Sequence, residues 1–277
     1  MKQFLIIITG AFLFTQLLQA QAQTYEELIL KSYEYSDSSN YPAAEECLKA
    51  AMRLEPANKL NFALLTNLGT TQRKLGKHEE ALLSYSAALS LHPNDEVILL
   101  NRANLYTEMG ETRSAIFDYS ILIEKYPYHE QGLYNRGLLY INTGEYILAE
   151  TDFDLILDKY KDTFLGRFGH AILEKARGNY DDSEVIFNYL IDKYPDNIRI
   201  LEERAELYFL TKRNSRALSD LNKVFAAIPE PSAEMYILRG RIKLSQHEKA
   251  TAALDFKKAR ELGYDEETIS KLLKESY

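Results

Sequence analysis

Small and large residues recur along this chain at fixed places, and the interval is close to 34 residues. Counted from starts at Tyr25, Phe62, Glu96, Glu130, Phe164, Ile198 and Ala233, the eighth position is always small: Ser32, Gly69, Ala103, Gly137, Ala171, Ala205 and Gly240. The twentieth is small as well, from Ala44 through Ala81, Ala115, Ala149, Ser183 and Ala217 to Ala252. The twenty-fourth is large and apolar, filled by Leu48, Tyr85, Tyr119, Phe153, Phe187, Leu221 and Phe256. Two small columns separated by a turn predict a pair of helices, A and B, that approach closely in each unit while the large side chain fills the space beside the contact. Gly76, Gly110, Gly144 and Gly178 fall where helix A must end. Pro56, Pro93, Pro127, Pro195 and Pro229 stand where helix B stops. After the last unit, Ile269, Leu272 and Leu273 form one apolar stripe behind Asp265, a candidate N-cap, which predicts a capping helix over 265–277.

The interval, the small columns and the prolines resemble the tetratricopeptide repeat, a 34-residue helix–turn–helix. The resemblance covers residues 25–266 in seven units. It implies an all-α fold, a right-handed α-solenoid of seven helix pairs with a C-terminal capping helix. One unit cannot bury its apolar face alone, so neighbours must stack.

Arginine occupies the seventh position in four units, as Arg102, Arg136, Arg204 and Arg239. Each is followed sixteen residues later by an aspartate: Asp118, Asp152, Asp220 and Asp255. The other three units lack both partners. Pairing within a unit satisfies all four arginines, so these are expected to be structural ion pairs that fix the hairpin, not catalytic groups.

Residues 1–22 are set apart from the repeats. Lys2 precedes an apolar run over Phe4–Phe14, and Ala20 and Ala22 suit a signal cleavage site before Gln23. The expectation is an exported protein, periplasmic if the source is Gram-negative and otherwise secreted, with no membrane insertion after cleavage. The chain carries a net charge of −8, or −9 without residues 1–22, and this disfavours nucleic acid and anionic membranes as partners. Cys47 is the single cysteine, so no intramolecular disulfide can form.

Motifs for chemistry fall short. The stretch "HEEAL" at 78–82 has Leu82 where a zinc helix needs its second histidine. Asp152, Asp154 and Asp158 lack the glycine turn of a calcium loop, and "GRFG" at 166–169 lacks the lysine of a phosphate loop. No enzyme activity, cofactor or metal is expected.

The resemblance implies that helix A lines a concave groove. Tyr134, Leu138, Ile141, Leu165, Phe168 and Ile172 fall on groove positions of the fourth and fifth units, with Asn101 and Asn135 as nearby polar contacts. Gly169 is expected to leave a hollow among them for an apolar anchor of a partner segment; burial of the same residues in the core is the alternative. The chaperone-tail clamp of the family needs lysine and arginine, and Gln131 and Asn135 stand in their place. Two functions follow: a monomeric scaffold that binds a protein or peptide segment without turnover, or a structural subunit that self-associates or joins a larger cell-envelope assembly.

Overall fold

In the computed structural model, residues 23–276 are described; the expected signal segment over 1–22 lies outside them. These residues form fifteen helices, seven pairs and a terminal one, in two compact units. The first unit, within residues 1–127, holds α1 (Tyr25–Asp37), α2 (Tyr41–Leu54), α3 (Asn61–Lys74), α4 (His78–Leu91), α5 (Glu96–Glu108) and α6 (Thr112–Lys125). The second, within 128–277, holds α7 (Glu130–Asn142), α8 (Tyr146–Tyr160), α9 (Phe164–Arg177), α10 (Tyr180–Lys193), α11 (Ile198–Leu210), α12 (Asn214–Ala227), α13 (Ala233–Ser245), α14 (Lys249–Glu261) and α15 (Glu266–Glu275). Odd-numbered helices up to α13 are the A helices.

Each helix begins and ends for a local reason. Thr24 caps α1 in a reciprocal box with Glu27, and Asp95 accepts from the amides of Val97 and Ile98 to start α5. Asp265 accepts from the Thr268 amide and starts α15. All seven A helices close through a left-handed residue at the fifteenth position. Four are the glycines, with φ from 71° to 85°, while Ser39, Lys212 and His247 hold the same conformation with φ of 59°, 59° and 66°. A side chain in that region is disfavoured by about 1–2 kcal/mol, so three turns close at a cost that glycine avoids.

The core follows the columns. The twentieth-position side chains are fully buried, and so is every large residue at the twenty-fourth. Where the eighth position is glycine, the ring of the same hairpin takes the space: a Cβ on Gly137 would lie 2.5 Å from Phe153 Cε1, and one on Gly69 would lie 2.8 Å from the Tyr85 ring. Close helix approach requires glycine there.

The fifth repeat departs from the pattern with Gly166, Arg167, Gly169 and Glu174 on α9, and the packing accounts for each. Gly166 gives room to Leu157, and Gly169 to Phe153. Arg167 is exposed and pairs with Asp162, whereas Glu174 bonds Arg177 and Asn179.

Candidate functional site

The four arginines each grip their aspartate with two bonds. Arg102 reaches Asp118 at 2.7 and 2.8 Å, Arg136 reaches Asp152 at 2.9 and 2.6 Å, Arg204 reaches Asp220 at 2.8 and 2.8 Å, and Arg239 reaches Asp255 at 3.0 and 2.6 Å. All four carboxylates are buried. Burial pushes the Asp152 carboxyl up, and the Arg136 guanidinium pulls against it. The remaining donor of Arg102 bonds Ser86, and that of Arg204 bonds Asn188, sixteen residues earlier on the preceding helix B. One guanidinium therefore ties two hairpins together, which pairing confined to a single repeat does not provide. His170 keeps that backward link alone, 2.9 Å from Asp154.

The second repeat, without the arginine, uses another network. Glu45, buried on α2, receives Lys77 at 2.7 Å and the Gln72 amide at 3.3 Å, and pairs with Lys49. Gln72 in turn accepts from Ser84 at 2.6 Å. Burial works to raise the Glu45 carboxyl, yet these donors hold it down at about 2. The spacing rule alone could not find this cluster, because its members sit at unrelated repeat positions.

The residues expected to line a groove divide into two groups. Leu138, Ile141, Leu165 and Ile172 are half-buried, as are Asn101 on α5 and Asn135, which accepts from Gln131 at 2.7 Å. Tyr134 and Phe168 are instead core residues, 2% and 1% exposed, and this corrects the expectation that they are open anchors. Arg199 of α11 covers both: it donates to the Tyr134 hydroxyl at 3.0 Å, and its guanidinium carbon lies 5.1 Å from the Phe168 ring centre. The hollow expected at Gly169 is absent as well, because the Phe153 ring occupies it. A glycine on an A helix reads as a gap in sequence, but the neighbouring B helix supplies the filling.

An open cleft of about 480 Å³ lies further along, between α11 and α13. Buried Ile237 and Leu238 are among its lining residues, with half-buried Phe209 and Met235 beside them and Tyr264 contributed by the turn before α15. Glu202, Glu203, Glu206 and Glu234 supply carboxylates. Lys175 of α9 binds Glu203 at 2.5 Å and also binds Glu206. Burial, with Glu203 alongside, pushes the Glu202 carboxyl up, while Arg199 pulls it down. The groove positions of the sixth and seventh repeats mark most of this cleft in sequence; Tyr264, outside the repeats, does not follow from them.

Among the described residues, no three His, Cys, Asp or Glu side chains are grouped to hold a metal ion, and no helix is long and apolar enough to cross a membrane. The geometry offers shaped surface and charge on a stack of helices.

Profiles of the tetratricopeptide repeat match residues 62–95, 98–127 and 168–231. Among proteins of curated function, none matches the chain. The crystal structure of a tetratricopeptide repeat protein from Parabacteroides merdae ATCC 43184 superposes with a TM-score of 0.84 at 56% identity, over 92% of this chain and 99% of that one. Similarity at the level of fold extends to Cut9 in the APC/C hetero-tetramer Cut9–Hcn1, with a TM-score of 0.66 at 14% identity over 90% of this chain and 55% of that one. It extends also to PilW, a type IV pilus biogenesis factor, with a TM-score of 0.63 at 18% identity over 78% of this chain and all of that one. Helix pairs in the predicted register, repeat profiles and a close relative matched over nearly its whole length agree: the chain belongs to the tetratricopeptide repeat family.

Proposed function

We propose that the protein is a non-catalytic scaffold that holds a segment of a partner protein on the faces of its A helices. The observation that carries this reading is the cleft between α11 and α13, where Leu210 is 47% exposed and Phe209 and Met235 are only partly covered. Large apolar side chains left at the surface of a rigid cleft favour binding of another chain. Export, with a periplasmic location in a Gram-negative source, belongs to the same proposal and rests on residues 1–22 alone. Panning a display library of random decapeptides against the full chain tests the scaffold reading. Enrichment of peptides that Leu210→Ser weakens is the expected result; a library that enriches nothing overturns it.

A second reading, a subunit that self-associates or is built into a larger assembly, draws support from a different surface. Leu83, Phe117, Val185 and Leu254 all occupy the twenty-second position of their repeats, and all are exposed. Light scattering separates the two: a monomer at micromolar concentration fits the scaffold, and growth of mass with concentration fits the subunit.

A further inference from the structure

The cleft between α11 and α13 has a charge pattern as well as an apolar lining. Its four carboxylates, Glu202, Glu203, Glu206 and Glu234, meet the cations of Lys175 and Arg241, which leaves two negative charges in excess. Lys175 is shared by Glu203 and Glu206. Glu202 and Glu234 make no hydrogen bond or ion pair among the described residues. The apolar side is equally uncommitted. Phe209 and Met235 pack at the edge of the core cluster built on Ala205, Leu221 and Leu238, and Tyr264 at the edge of the one built on Phe256 and Ile269. The cleft therefore runs along the seam between two cores, where apolar surface is present and neither cluster covers it.

We infer that this cleft takes a basic segment of a partner protein, an apolar side chain entering between Phe209 and Met235 and flanking lysine or arginine residues meeting Glu202 and Glu234. The inference rests on the scaffold reading and adds the chemistry of the occupant. An apolar anchor removes the exposed lining from water, which supplies affinity. The cations supply discrimination. An acidic segment placed here would bring like charges onto Glu202 and Glu234, whereas a basic one neutralises the excess. Glu202 is half-buried, so a cation brought against it also relieves a carboxylate that burial disfavours.

The test uses the decapeptides enriched on the full chain, synthesised with a fluorescent label and titrated by anisotropy. The expected sequences carry Lys or Arg next to Leu, Ile, Met or Phe. Glu202→Gln combined with Glu234→Gln should weaken them about tenfold, corresponding to about 1.4 kcal/mol. The thermal midpoint should stay unchanged, and added salt should weaken the native protein more than the variant. Glutamine keeps the volume of glutamate, and Leu210→Ser provides a second variant in case the double one folds poorly. Enriched peptides that are acidic or neutral, or basic ones insensitive to both variants, overturn the basic-segment inference while the scaffold stands. Failure to enrich any peptide overturns both.

Discussion

Arg204 and Asp220 lie on the two helices of one hairpin and are joined by two bonds of 2.8 Å each. Asp220 is buried, and a third bond from the guanidinium reaches Asn188 on the hairpin before. Asp220→Ala should cost about 2–4 kcal/mol, because it strands a charge whose surroundings are already dry. Arg204→Leu together with Asp220→Leu should recover a substantial part of that loss. Urea denaturation of the two single variants and the double variant measures the coupling, and strictly additive losses would show that the pair contributes none.

The left-handed turn residues give a stabilising substitution. Lys212 has φ of 59° at a place where other repeats use glycine. Lys212→Gly should raise stability by about 1 kcal/mol. Gly144→Ala, with φ of 79° and nothing within 4 Å of the added Cβ, should lower it by a similar amount through conformation alone. Paired thermal melts decide the matter, and unchanged midpoints would mean the turns relax to another geometry.

Phe168 and Leu210 should respond in opposite ways to the same replacement. Phe168→Glu places a carboxylate where the native ring is 1% exposed and should cost about 4 kcal/mol or more. Leu210→Glu, at the rim of the cleft, should change stability by less than about 1 kcal/mol while affecting peptide capture. Circular dichroism during urea titration distinguishes them. A well-folded Phe168→Glu variant would place that ring at the surface after all.

Glu45 makes a contribution that depends on pH. Its folded carboxyl titrates at about 2, below the ordinary 4.5, so the unfolded chain takes up a proton first. The resulting stabilisation is fully present above pH 4.5 and is lost as pH falls from there through about 2. Glu45→Gln should therefore flatten the fall in urea midpoint over that window. Identical slopes for the two proteins would rule out the Lys49–Lys77–Gln72 network as the cause.

Sequence reveals the periodic parts of the molecule well. Small residues at the eighth and twentieth positions mark helix contacts because no other side chain fits there, and the Arg–Asp offset survives because both partners belong to one hairpin. Contacts between neighbouring repeats were harder to read. Arg199 looks like part of a charged, solvated face, yet it covers Tyr134, 65 positions earlier, and Phe168. Gly169 looks like a vacancy until Phe153 is placed beside it. The Glu45 network and Tyr264 were invisible to a column reading because they follow no column.

The arginine that reaches sixteen residues forward and sixteen back has a consequence for how such a chain can change length. Arg102 draws Asp118 from its own hairpin and Ser86 from the one before, and Arg204 does the same with Asp220 and Asn188. A duplicated block of 34 residues carries its own donors and acceptors to both seams, so every joint is rebuilt with the same partners. An insertion of 33 residues shifts each guanidinium by about 100° around its helix and strands it. Gene duplication in whole repeats is thus nearly silent for the fold, while growth by any other increment is penalised at once.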